Sequence, residues 1–199
     1  MGKIGLLAAG ALVLILGIAG VGSYNKLVRL GQSVDGQWAQ VENAYQRRAD
    51  LVPNLVETVK GAAKFEQETF KAVTEARARV GQVAAQPTDK ITSDPQALQR
   101  FQQAQDGLQS ALSRLMVVVE RYPDLKATAN FRDLQVQLEG TENRVTVERM
   151  RFNESAQAFN TARQSFPTVL VAPMFGSRFV EKVYFKSAAG AATAPQVKF

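Results

Sequence analysis

Histidine and cysteine are both missing from the 199 residues. Without cysteine there is no disulfide, no thiol redox chemistry and no thiolate metal site, and the compartment stays undecided. Without histidine there is no imidazole to serve as general base, metal ligand or pH sensor. That excludes Ser-His-Asp and Cys-His catalysis, HExxH zinc sites and the Glu-x-x-His di-iron bundle. Proline is scarce, seven in all, and hydrophobic residues make up 46%, a balance that fits an ordered chain better than a disordered one. An all-carboxylate or lysine mechanism stays open in principle, but no motif marks one. The expectation is therefore no enzyme activity, no cofactor and no metal.

Charge is missing from one stretch altogether. Ile4 to Tyr24, IGLLAAGALVLILGIAGVGSY, carries none, and a helix of that length spans roughly 31 Å, close to the ~30 Å hydrocarbon core of a bilayer. A cleaved secretory signal peptide is the competing reading. Against it, only Lys3 precedes the run, the run is longer than the usual apolar region of roughly 7 to 15 residues, and no clean A-x-A site follows. A retained single-pass membrane anchor is the favoured reading, with the lipid bilayer as first partner. Lys3 and the free amine precede the run and Lys26 and Arg29 follow it closely, so the nearly tied positive-inside count leaves the face of the soluble part open. Within the run Gly10 and Gly17 fall on nearly one face, where two such helices could approach closely.

The formal net charge is +6. A basic domain tethered beside anionic lipid gains roughly 1 kcal/mol per Lys or Arg near the surface. Nucleic-acid binding is not expected, because the basic residues are interleaved with Asp and Glu rather than gathered in a stripe.

Beyond the anchor the pattern is helical throughout. Leu27, Val34, Trp38, Val41 and Tyr45 step by threes and fours, with no linker after the anchor, so anchor and domain should be stiffly coupled despite Gly31 and Gly36. Val52, Val56, Val59, Ala63, Phe70, Val73 and Val80 keep the period. Pro53 is tolerated early in a helix but not inside one. A second helix is therefore expected to start with Asp50 as its cap, the alternative being one long helix kinked at Pro53. Asp94-Pro95 is a cap followed by a first-turn proline. From it Leu98, Phe101, Gln105, Leu108, Leu112, Leu115, Val119 and Tyr122 run without a slip until Pro123. Last, Phe131, Leu138, Val145, Phe152, Phe159 and Phe166 recur every seven residues. Their companions decline from Leu134 to Thr141, Glu148, Ser155 and Ala162, a seam suited to hydrogen-bonded contacts.

The expected fold is all-α: an N-terminal transmembrane helix (1–24), then an up-and-down four-helix bundle with long helices (25–167, helices over about 25–48, 50–84, 94–122 and 126–166). Residues 168–199 follow as an irregular segment and disordered tail. The stretch after Pro167 reads as a strap across the bundle or as a segment that contacts a partner or the membrane.

RRADLVPNLVETVKG (Arg47 to Gly61), NFRDLQVQLEGTENRV (Asn130 to Val145), the RFN and AFN pairs (Arg151 to Asn153, Ala158 to Asn160) and Phe166-Pro167 together resemble the LemA family over nearly the whole chain. Ala62 and Phe65 stand where such proteins more often have tyrosine and histidine. The resemblance implies a membrane-anchored four-helix soluble domain and no enzyme activity, the family's molecular function being unsettled. Relatives at magnetosome membranes, and others encoded beside a membrane metalloprotease, imply membrane organisation or quality control.

Arg47 and Arg48 with Asp50 could hold an anion bidentately, but a capped helix junction explains them better. Asn153 and Asn160 share a face, where side-chain hydrogen bonds between helices outweigh a ligand site. Lys64 with Glu68 and Glu75 with Arg79 read as solvated i,i+4 pairs. The candidate structural or interaction residues are thus Arg47, Arg48, Asp50, Pro53, Asn54, Lys60, Asn153 and Asn160, with Gly10 and Gly17 for packing of the membrane helix. The functional expectation is a membrane scaffold that forms a homo-oligomer or organises membrane-protein partners. The alternative is an adaptor presenting substrates to a membrane protease or other membrane complex.

Overall fold

The structure, a computed structural model, describes residues 2–63 and 66–186. Among the described residues there are seven α-helices, a 3-10 segment and no strand. The first helix, α1 (Gly2–Ala62), is 61 residues long, a rod of about 90 Å at roughly 1.5 Å per residue. In its N-terminal third Leu7, Leu12, Leu14, Ile18 and Val21 are all exposed. Packing begins at Ser23, and from Leu27 the residues Val34, Trp38, Val41 and Tyr45 are buried, as their spacing predicts. Gly31 and Gly36 do not interrupt the helix. A Cβ at Gly31 would stand 3.6 Å from the Phe159 ring, an ordinary van der Waals contact, so the position has room for alanine. By length and composition α1 is long and apolar enough to cross a membrane, and the apolar stretch lies near its N-terminus.

The helix also passes through Pro53, so no second helix starts at Asp50. Asp50 is not a cap. It is exposed and accepts a hydrogen bond from Gln46 Nε2 at 2.8 Å within the same helix. A proline inside a helix leaves the carbonyl four residues back without its donor, here Ala49 O. The Arg77 Nε–H, from the neighbouring helix, donates to that oxygen at 2.9 Å. The vacant acceptor is thereby filled, and Val52, Leu55, Val56 and Val59 continue the buried face beyond the proline.

The chain turns instead after Ala62. Helix α2 (Gln67–Ala84) runs back along α1, with the Lys60 Nζ 6.0 Å from the Phe70 ring near one end and Arg77 on Ala49 nearer the other. The helix expected over 50–84 is therefore the end of α1 and a separate, antiparallel α2. Lys64 and Phe65 lie outside the described residues, and with them the Lys64–Glu68 pair. Glu75 meets Lys71 at 3.9 Å rather than Arg79.

After α3 (Thr88–Ser93), α4 (Pro95–Val119) starts as its sequence dictates: Asp94 accepts from the Gln96 N–H at 2.8 Å, and Pro95 occupies the first turn. It ends before Tyr122, and Pro123 opens the short α5 (Pro123–Lys126). Then α6 (Ala129–Gln164) is capped by Thr128, whose hydroxyl accepts from the Phe131 N–H at 3.4 Å. α1 packs along α6 and α2 along α4.

Two apolar clusters fill the interior. One gathers Leu27 to Tyr45 of α1, Leu98 and Phe101 of α4, Val145, Phe152 and Phe159 of α6, and Phe179 and Phe185. The other gathers Val52 to Ala63, α2, Leu108 to Val119, Leu125 and Phe131. Between them, at matching heights on three helices, stand the buried polar residues Arg48, Gln105 and Thr141.

Beyond Pro167 the described residues run on to Lys186. α7 (Thr168–Val171) leads into a 3-10 segment, Ala172–Phe179, broken at Gly176. There a φ of 56° suits glycine and would strain a residue with a side chain. Residues 180–186 form neither helix nor strand, starting from an extended Val180, and Phe179 and Phe185 lie in the core, so this stretch is a strap. The low-complexity tail expected after it lies outside the described residues.

Candidate functional site

Among the described residues two groups of interlocked polar side chains matter, one in the layer between the apolar clusters and one in the seam under the strap. In the layer, Arg48 is almost fully buried. Its Nη1 donates to both Glu142 oxygens, at 3.0 and 3.2 Å, and its Nη2 donates to Gln105 O at 3.1 Å and to Gln105 Oε1. Its guanidinium also lies 5.0 Å from the Tyr45 ring centre. One planar fork thus ties α1, α4 and α6 together, a task suited to arginine's fixed donor geometry. Burial pushes the neighbouring Tyr45 hydroxyl above its ordinary pKa, with Arg149 and Arg48 pulling the other way. A buried carboxylate, Glu148, accepts from Gln37 Nε2 at 2.8 Å and from Arg151 at 3.3 Å, with Arg144 at 3.6 Å.

The strap is held by a ladder from α6. The Asn153 Nδ2 donates to Phe185 O at 3.0 Å, and the Phe185 N–H donates to Asn153 Oδ1 at 2.8 Å. Asn160 does the same one step along, giving Nδ2 to Lys182 O at 2.7 Å and taking the Lys182 N–H at 2.8 Å. Each amide thus presents the donor and acceptor of a neighbouring strand. The spacing works because seven residues of helix advance about 10.5 Å and three extended residues about 10 Å. Arg163 on Phe179 O and Arg149 on Lys186 O close the ladder at its two ends. Beneath it, Phe185 stacks on Trp38 at 5.8 Å, and Phe152 and Phe101 meet the same indole edge-on. On its other side the Val183 N–H donates to Thr92 O.

The structure therefore separates residues that are adjacent in the sequence. Arg48 points inward, while Arg47 is exposed on a shallow groove of about 480 Å³ between α1 and α6, with Gln40, Asn43, Gln137 and Arg144. The two guanidiniums cannot share one anion, and Asp50 is occupied by Gln46. Pro53 and Asn54 are exposed in mid-helix, the Asn54 carbonyl accepting from Thr58 Oγ1 at 2.8 Å. Lys60 pairs with Glu57 at 3.0 Å on the surface. Asn153 and Asn160 are brought together as their spacing predicts, but they bond the strap backbone rather than another helix. Gly10 and Gly17 face open space.

Arg77, Gln105, Glu142 and Glu148 are site residues that motif reading passes over. Two of them had a signal: Gln105 sits in register within the apolar stripe of α4, and Glu148 within the companion stripe of α6. A polar residue at a core position announces a buried polar contact. Among the described residues no group of three or more Asp or Glu is placed to hold a metal ion.

Comparison with known proteins gives this arrangement relatives. The chain is 27% identical over 179 residues to magnetosome protein MamQ of Magnetospirillum gryphiswaldense, covering 83% of this chain and 66% of that protein. It is 24% identical over 152 residues to Protein LemA of Metamycoplasma hominis, covering 76% of this chain and 64% of that one. The chain thus spans slightly less than two thirds of the length of these relatives. The model of the LemA family matches residues 37–199, a stretch that takes in the Arg48 layer, the asparagine ladder and the strap. The chain belongs to the LemA family.

Proposed function

We propose that this protein is a membrane-anchored structural element without catalytic activity, which self-associates or organises partner proteins at a bacterial membrane. The observation that carries this reading is the continuity of α1. The same helix that exposes Leu12, Leu14 and Ile18 also supplies Trp38, Tyr45 and Arg48 to the packed domain. Force or position at the bilayer would pass to the domain without a hinge, which is what a scaffold requires and a tethered enzyme does not. Two observations support it: the polar side chains that reasoning about catalysis would seize on are spent on holding helices and strap, and relatives bear the name of a magnetosome protein.

Light scattering on the full-length protein in a mild detergent, over a concentration series, tests this. A defined oligomer is expected, reduced in mass by Gly10→Leu with Gly17→Leu if the membrane helices supply the contact. A monomer at every concentration would remove the self-assembly form.

The adaptor reading is favoured by one feature, an open groove of about 690 Å³ between α4 and the strap, flanked by Leu98, Gln102, Arg149 and Tyr184. Photo-crosslinking from Gln99 and Gln103, which line it, would capture a substrate chain on that reading. Deleting 168–199 would be a poor test, since Ala172, Phe179 and Phe185 belong to the core.

A further inference from the structure

We infer that the segment from Phe166 to Arg178 is an interfacial collar, which lies in the headgroup region of the bilayer around the point where α1 emerges and has anionic lipid as its partner. This rests on reading the N-terminal part of α1 as membrane-embedded. The segment has two faces. Ala172 and Phe179 are buried in the core and fix it in place, while Phe166 and Met174 are each 79% exposed and Leu170 64%. An apolar face turned away from a filled core marks a surface that something else covers.

Its position identifies what covers it. Tyr24 is the last residue of the uncharged N-terminal run. Its ring lies 4.8 Å from that of Phe175 and 5.5 Å from that of Phe179, with the Arg178 guanidinium 5.5 Å from its centre. A helix that carries the run through a bilayer brings Tyr24 to the interface, where tyrosine is favoured, and Phe175 to the same depth. Charge agrees. No Asp or Glu occurs before Asp35 or between Phe166 and Val180, whereas Lys26 and Arg29 are exposed on α1 beside the collar. Apolar side chains with flanking bases are the chemistry of segments that lie in an anionic membrane surface. Isolated exposed residues elsewhere, such as Val117, have no such company.

Because the chain has no cysteine, single substitutions label one site each. Met174→Cys, Leu14→Cys and Val117→Cys would be made in the full chain, labelled with the fluorophore NBD, and reconstituted into phosphatidylcholine–phosphatidylglycerol vesicles carrying nitroxide lipids. The expected result is blue-shifted emission at 174 quenched by headgroup-proximal nitroxides, quenching at 14 by deep-chain nitroxides, and neither at 117. Exchange to phosphatidylcholine alone, or Arg178→Glu, should reduce the quenching at 174. If 14 is quenched and 174 behaves like 117, the collar is overturned and the membrane span survives. If 174 is blue-shifted yet unquenched, protein rather than lipid covers it, which also overturns the inference. If 14 is not quenched either, both readings fall together.

Discussion

A guanidinium buried between three helices depends on partners for its donors, and Arg48 finds them for Nη1 in Glu142 and for Nη2 in Gln105, its Nε having none. Glu142→Gln is expected to cost about 1.5 to 3 kcal/mol, because it removes a charge-assisted pair from a buried cation whose partner is still partly exposed. Adding Arg48→Met should recover part of that loss, since no charge is then stranded; urea unfolding of both variants in detergent checks this. Tyr45 gives a pH signature. Its folded pKa lies above its ordinary value of 10.0, so its contribution is fully present below about pH 10 and is lost as pH rises through the folded value. Tyr45→Phe should therefore lose stability less steeply than the parent above pH 10 in thermal melts. The burial of Arg48 was legible in its register, since positions 41, 45, 48 and 52 share one face. The choice of Glu142 as its partner was not, because that contact depends on how three helices pack.

At the level of elements, the sequence pattern found the helical faces and misplaced one turn. Ala63 and Phe70 are seven apart and both buried, so the apolar register runs across the reversal between α1 and α2 as though nothing happened there. Pro53 carries the strongest breaking signal, yet the helix continues because Arg77, distant in sequence, fills the acceptor that proline vacates. Arg77→Leu should thus cost about 1 to 3 kcal/mol, the usual penalty for an unpaired buried polar group. It should cost clearly less in a Pro53→Ala background, where the restored amide can donate to Ala49 O; the double-mutant cycle measures the difference. The strap allows a similar test. Asn153→Leu or Asn160→Leu should each cost about 1 to 3 kcal/mol by leaving strap backbone groups unpaired. The lone tryptophan, Trp38, stacked on Phe185, should report it as a red-shifted emission, and the Lys182 and Phe185 amides should exchange faster with solvent. That these asparagines share a face was readable from the repeated Phe-Asn pairs. Their partner was not, because a strap that ends in extended chain leaves no periodic trace.

At the scale of the whole molecule, a rod and a packed domain share one helix. The domain's interior is divided by a polar layer that sets the relative heights of α1, α4 and α6, since sliding one helix by a turn would strand Arg48 in an apolar cluster. The strap closes the end of the domain from which the apolar N-terminal run emerges, joining α6 to α3 across the aromatic cluster. Both features hold the domain in a fixed pose on its stalk, which is the mechanical basis for reading it as a scaffold. Hydropathy alone made the apolar run and the all-α class legible; the fixed pose follows only from the contacts.

The pose is open to direct measurement. Spin labels at Ile18 and Gln46, both exposed on α1, can be introduced as cysteines into a chain that has none. The distance between them can then be read by pulsed dipolar spectroscopy in lipid nanodiscs, with excess unlabelled protein to suppress contacts between copies. A continuous helix predicts one narrow distribution near about 42 Å, from roughly 1.5 Å per residue. A broad distribution, or one centred well below that distance, would show a hinge between the apolar run and the domain and would contradict the account.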